Sequence, residues 1–376
     1  MKALLKSKGF REFLRVLLAL AIGLSLGFIL TCFVSKDPIN SYKAFLFGPF
    51  SQLNRIGDWL EESITLVFLG LAVAIVFSAK QFYIGVEGQM VLAALVAGAV
   101  ALYAPFPPVI RIILAFIAGT VMGFIWGVIP AYVKAYLNAS ELVSSLMMNT
   151  IALKLFEYLL GTYLQLPKVS GIMSELLPKE ARLPSFIPKL PFLAETHALW
   201  TKQTSVSVMV YIAIAAVLVA YLLLYKTPFG YELRMVGSNN KFARYGGVNV
   251  KRTIMLAITV SGIFAGLAGV HLALGIHYRI VQNMSAGLGF EGVNIAILSF
   301  NNPLIVPFAS LLYGYLRAGA DVMERTSDVS RELVTIVQAA VLLLITAERL
   351  LPVIQQRVTT PDDEEHQQEK GDANVA

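Results

Sequence analysis

Apolar runs of about 20 residues, long enough to cross the hydrocarbon core of a bilayer as helices, recur along most of this chain. Stretches such as "ITLVFLGLAVAIVF" (64–77) and "IILAFIAGTVMGFIWGVIPAYV" (112–133) carry no charge. Charged residues make up 14% of the whole and hydrophobic ones 57%, against about 25% charged in a soluble domain. A chain of this kind reads as an all-α polytopic membrane protein. Dividing its 376 residues by a soluble domain size gives no useful domain count.

The apolar spans fall near 13–34, 62–79, 89–104, 110–133, 142–163, 206–225, 253–276, 287–300, 304–320 and 332–351. That makes about ten transmembrane segments, two of them short, and an even number puts both termini on one side. Lys2, Lys6, Lys8, Arg11 and Arg15 cluster at the first span. Residues 226–252 hold Lys226, Arg234, Lys241, Arg244, Lys251 and Arg252 against one acid, Glu232. The positive-inside rule places both clusters in the cytoplasm, so the proline-rich loop 164–205 faces outside. The expected organisation is a cytoplasmic N-terminus 1–12, a transmembrane domain 13–352, and a cytoplasmic acidic tail 353–376 of disordered composition. The first span reads as an uncleaved helix rather than a signal peptide, because it is long for one and Thr31 precedes Cys32 in "ILTC". Cys32 is the single cysteine, which excludes an intrachain disulfide and a cysteine-based metal cluster. The net charge of +6 fits membrane orientation better than nucleic-acid binding.

Two short segments stand out. "IGVEGQMVLAAL" (84–95) is echoed by "LGFEGVNIAIL" (288–298), so that Gly85, Glu87 and Gly88 recur as Gly289, Glu291 and Gly292. Glycine-interrupted segments at corresponding places in two halves are the pattern of repeated transporter folds, whose sites lie where helices break. The echo therefore predicts two related halves with glycine-broken helices. A carboxylate inside a membrane is expensive and lines a cavity or meets a partner. Glu87 and Glu291 can cap the helices that follow them or touch a solute. Gln89 and Asn294, just inside those helices, can bond a polar solute or a neighbouring helix. The same two readings apply to Asn149 in "NASELVSSLMMNTIA" (138–152), where Ser140 stands at a helix N-cap position. No basic residue is clearly placed to meet a phosphate or carboxylate, which favours a neutral solute.

The basic loop carries "YELRMVG" (231–237), a candidate short helix, and then "SNNKFARYGG" (238–247). Ser238 or Asn239 is a cap for a second short helix, and Gly246–Gly247 is its stop. Basic and aromatic residues bracketed by breakers suggest a docking element; the alternative is a solvated loop held near anionic lipid. The sequence contains no G-x-x-x-x-G-K-[ST] phosphate loop and no H-E-x-x-H. An enzyme reading has no constellation behind it.

These stretches resemble the permease subunits of bacterial ABC importers in the branched-chain amino acid, ribose and nucleoside superfamily, most nearly the nucleoside branch. "FYIGVEGQM" resembles its "FNIGxEGQ", "NASELVSSLMMN" its "NEVISTxMxN", "VGSNNKFARYGGVNV" its "VGxNxxAARYxGI" and "GFEGVNIAIL" its "GFDGIAVAL", all within about 60–350. The resemblance implies an inner-membrane permease for a nucleoside, a purine nucleoside foremost, with both termini cytoplasmic. It implies two ATPase subunits that use the ATP, a second homologous permease forming a heterodimer, and an extracytoplasmic binding lipoprotein, with no cofactor bound by this chain. Gly237, Asn239, Ala243, Arg244, Tyr245 and Gly247 match the loop that couples to the ATPase. Tyr83 replaces the usual asparagine, Asn294 a small residue, and "SFNNP" (299–303) the usual turn, which bears on the substrate. A simple sugar or branched-chain amino acid is the rival cargo; an ion-coupled secondary transporter and a membrane scaffold are the rival classes.

Overall fold

A computed structural model describes residues 8–167, 171–187 and 200–329, together with 335–336 and 339–340. All regular structure among the described residues is helical, apart from two isolated bridges, Met173 to Val281 and Ser185 to Ser207. The helices are α1 (Lys8–Val34), α2 (Pro38–Phe47), α3 (Leu53–Ser78), α4 (Val86–Tyr103), α5 (Pro108–Leu137), α6 (Glu141–Leu159), α7 (Met209–Lys226), α8 (Pro228–Ser238), α9 (Asn240–Tyr245), α10 (Val250–His271), α11 (Leu288–Leu298) and α12 (Val306–Thr326).

Among the described residues, six helices are long and apolar enough to cross a membrane: α3, α4, α5, α6 extended to Leu164, α7, and α10 extended to Ile276. The remaining expected spans differ for separate reasons. The described apolar part of α1 is Ala21–Val34, too short by itself to count as a span. Helix α11 has 11 residues, about 16 Å at 1.5 Å per residue, roughly half the hydrocarbon thickness. Helix α12 has the length but carries Arg317, Asp321, Glu324 and Arg325. The expected span 332–351 and the acidic tail 353–376 lie almost wholly outside the described residues.

The contacts divide the chain into two compact units, Met1–Leu46 with Ala320–Ala376, and Phe47–Gly319. In the first, α1 and α2 form a hairpin in which Tyr42 donates to Leu24 O (2.5 Å). Asp328 accepts from the Ser35 hydroxyl (2.6 Å) and Lys36 N–H (2.9 Å) beside it.

In the second unit, α3, α4 and α10 are mostly buried along their apolar windows, as central helices are. Helix α5 is one-sided. Ile113, Ile117, Val121, Ile125 and Ile129, four residues apart, form an exposed stripe, which suits contact with lipid tails. Its other face repeats Gly119, Gly123 and Gly127. A Cβ on Gly123 would lie 2.3 Å from Gly262 O of α10, and one on Gly262 equally close to Gly123 O. Small residues at spacing four let the two backbones touch, which drives helix association where no hydrophobic effect operates.

The loop 164–205 is folded where it is described. Ser174 and Leu177 donate to the carbonyls of Ile280 (2.8 Å) and Tyr278 (2.8 Å). Arg182 lies over the Tyr278 ring at 4.8 Å. Leu177, Ala181 and Leu183 are buried beneath it.

Candidate functional site

Two irregular segments bring the echoed motifs together. After α3 the chain turns at Lys80 (φ 51°) and runs without regular structure through 81–84 before α4 starts. After α10, left-handed residues at Asn283, Ala286 and Gly287 lead into α11. The start of α11 stands against that of α4: Gly289 N–H donates to Glu87 Oε2 at 2.6 Å. The Ser285 hydroxyl and Gly287 N–H face the same carboxylate. A Cβ on Gly289 would sit 2.5 Å from Glu87 Cα, so this glycine serves the close approach of two backbones.

Glu87 thus lies in the first turn of its own helix and caps the other one. Two helix N-termini, each equivalent to roughly half a positive charge, converge on one carboxylate that is 2% exposed. That convergence offsets part of the cost of burying a carboxyl group at this point. Glu87 therefore stands at the start of the helix that follows it, as the capping reading has it, while its hydrogen bond goes to the other helix.

Asn149 of α6 does the corresponding work for α4. Its Oδ1 accepts from Gly88 N–H (2.9 Å) and its Nδ2 donates to Ile84 O (2.8 Å), bonding one donor of the helix start and one acceptor of the irregular segment. Gly88 leaves room for it, since a Cβ there would meet Asn149 Oδ1 at 3.0 Å. Gly85 leaves room for Tyr83, whose hydroxyl would lie 2.1 Å from an added Cβ. Gln89 points elsewhere: its Nε2 meets Ile258 O of α10 at 3.4 Å, an interhelical bond.

The second motif is not a copy of the first. The residue that enters α11 is Gly287 (φ 81°), two positions before the expected Gly289, so Glu291 begins deeper in its helix than Glu87. Its carboxylate turns to Arg317 of α12, whose guanidinium also meets Glu62 of α3 (Nε to Oε1, 3.4 Å). Asn294 bonds the Tyr313 hydroxyl one turn from Arg317. Gly292 lets α11 lie on α3, where a Cβ would come 2.9 Å from that of Leu69. Glu291, still in the first turn of its helix, is also one arm of an ionic bridge joining α3, α11 and α12. Arg317, Glu62 and Ser285 went unnoticed in the sequence; an arginine within "LLYGYLRAGA" (311–320) was the available signal. Arg317 is a basic residue in the interior, but two glutamates already face it.

Ser140 occupies the N-cap position of α6, yet its side chain makes no capping bond. In the basic loop Thr227 caps α8, accepting from Gly230 N–H (3.1 Å). Asn239, not Ser238, caps α9, its Oδ1 accepting from Lys241 N–H (2.9 Å) and Phe242 N–H (3.1 Å). Gly247 (φ 81°) ends the turn. Ala243 is buried, while Arg244 is exposed, as are Phe242 and Tyr245 at 63% and 92%. Gly237 seats α8 on the end of α3, where a Cβ would lie 2.1 Å from Ser78 O. Helix α8 is thereby fixed to the helix that leads into the first break, and α9, which offers aromatic residues outward, follows it directly.

The family model for the branched-chain amino acid transport system permease component matches residues 55–346. The guanosine ABC transporter permease protein NupP of Bacillus subtilis is 30% identical over 88% of this chain and 92% of its own length. The glucose ABC transporter permease protein TsgB13 of Haloferax volcanii is 32% identical over 89% and 86%. The nucleoside ABC transporter permease protein NupB of Lactococcus lactis is 28% identical over 90% and 92%. No solved structure matches the chain.

Proposed function

Because the chain belongs to the branched-chain amino acid transport system permease family, we propose that it moves a nucleoside, a purine nucleoside foremost, across the cytoplasmic (inner) membrane. It has no nucleotide site of its own in this reading, and two separate ATPase subunits supply the work. A second homologous permease completes the passage as a heterodimer, and an extracytoplasmic lipoprotein delivers the solute. Both termini are cytoplasmic, with about ten crossings in two related halves.

The observation that carries this reading is the capped helix α9, with Phe242 and Tyr245 facing outward. The helix directly before it, α8, is tied through Gly237 to the end of α3, and α3 leads within eight residues to the N-terminus of α4. A push on α9 from an ATPase subunit has a short path to the junction at Glu87. In this reading Glu87 and Asn149 brace the junction, and the faces of α4 and α11 beside it border the passage. Relatives named for guanosine and nucleoside transport support the cargo. The glucose permease relative supports a sugar as the second reading. Uptake of labelled guanosine into proteoliposomes, with and without the ATPase subunits and with excess glucose as competitor, tests both. Uptake that persists without the ATPase subunits overturns the mechanism; inhibition by glucose and none by inosine overturns the cargo.

A further inference from the structure

Between the end of α5, helix α9 and the start of α10 lies a cleft of about 810 Å³, within the usual range of small-ligand sites. Lys134, Lys241, Arg244 and Lys251 line it against one acid, Glu141. That acid is paired with Lys134 and also meets Phe82 N–H. The first residues of α10, Val250 and Lys251, line the same cleft, so the positive end of a 22-residue helix adds to the field.

A second observation concerns Gln81. It is 6% exposed, lines the cleft, and donates from Nε2 to Ala79 O (3.1 Å). Its Oε1 has no hydrogen-bond partner among the described residues. A buried amide oxygen calls for a donor, and phosphate alone at neutral pH is a poor one. A hydroxyl near an anion suits both features. Tyr136 lines the cleft, with Lys251 5.6 Å from its ring centroid; outside the cleft Tyr132 stacks on Tyr136 at 4.9 Å, and Leu137, next in the chain, is exposed. Tyrosines and exposed apolar side chains next to cations are the composition of a headgroup-level interface.

We propose that this cleft binds the headgroup of an anionic glycerophospholipid. The phosphate lies among Lys134, Arg244, Lys251 and the start of α10, and a glycerol hydroxyl donates to Gln81. Basic pockets between membrane helices on the cytoplasmic side take such headgroups. The placement on that side rests on the orientation given under Proposed function. Bound there, the lipid ties helix α9 to the segment that enters α4, so the membrane itself completes the coupling region.

The test is native mass spectrometry of the full chain in detergent, titrated with phosphatidylglycerol or with phosphatidylcholine of the same acyl chains. Selective retention of phosphatidylglycerol is expected. Lys251→Gln, at an exposed position that leaves folding intact, weakens it about fivefold, and Lys134→Gln with Lys251→Gln about 30-fold, roughly 1 and 2 kcal/mol. Equal retention of both lipids, or an unchanged titration of the double variant, overturns the site. Displacement by excess inorganic phosphate overturns the lipid assignment. The readout needs neither ATPase nor solute, so failure of ATP-driven uptake leaves it standing and its own failure leaves the transport reading untouched.

Discussion

Replacing Arg317 by methionine tests whether the bridge between α3, α11 and α12 is held by charge. The guanidinium meets Glu291 and, at 3.4 Å, Glu62, and the three side chains are 12%, 19% and 24% exposed. Methionine fills most of the stem's volume and leaves two carboxylates facing each other across its position. Removing one partner of a buried ion network costs about 3–5 kcal/mol, and the partial exposure here points to the lower end. With an unfolding entropy of about 2.1 cal/mol/K per residue, 3 kcal/mol lowers the melting temperature of a 376-residue chain by roughly 4 °C. The assay is thermal unfolding of purified protein in detergent, followed by tryptophan fluorescence. The decisive comparison is Arg317→Met with Glu62→Gln and Glu291→Gln. Neutralising all three is expected to restore stability to within about 1 kcal/mol of the parent, since neutral replacement of a whole buried network is well tolerated. A triple variant as unstable as the single one refutes the reasoning, because the loss then comes from packing of the arginine stem.

Gly289→Ala forces a Cβ to 2.5 Å from Glu87 Cα; it is expected to lose about 3 kcal/mol, read as a loss of monodisperse protein on size exclusion. Glu87→Leu strands Gly289 N–H and exposes two helix N-termini to each other, for about 3 kcal/mol, whereas Glu87→Gln keeps an acceptor and loses about 1 kcal/mol; equal melting temperatures for the two variants refute the shared cap. Asn149→Leu strands Gly88 N–H and Ile84 O, at about 2 kcal/mol in the same assay. Tyr245→Ala, at a site 92% exposed, is expected to leave the melting temperature unchanged and to reduce ATP-driven uptake; unchanged uptake removes Tyr245 from the docking surface.

The parts of this molecule that sequence made legible are those whose causes are local. Asn239 caps donors two and three residues ahead of it, so a window of ten residues contains the whole argument for α9. The long spans are equally local, because hydropathy over 18 residues decides whether a helix suits lipid. What stayed hidden depends on partners far along the chain. Glu87 meets an N–H 202 positions away, and no spacing rule near Glu87 names it. The echo of "GVEG" in "GFEG" was visible, but the different duties of the two glutamates were not, and electrostatics accounts for the difference. The junction of α4 and α11 offers two half-charges, which one carboxylate satisfies. A second carboxylate about 4 Å away would add repulsion of about 4 kcal/mol at an effective dielectric of 20. Once Glu87 holds the junction, Glu291 has to find a cation elsewhere. Arg317, within reach from α12 and mostly buried, where a lone guanidinium is itself costly, is the group that answers it.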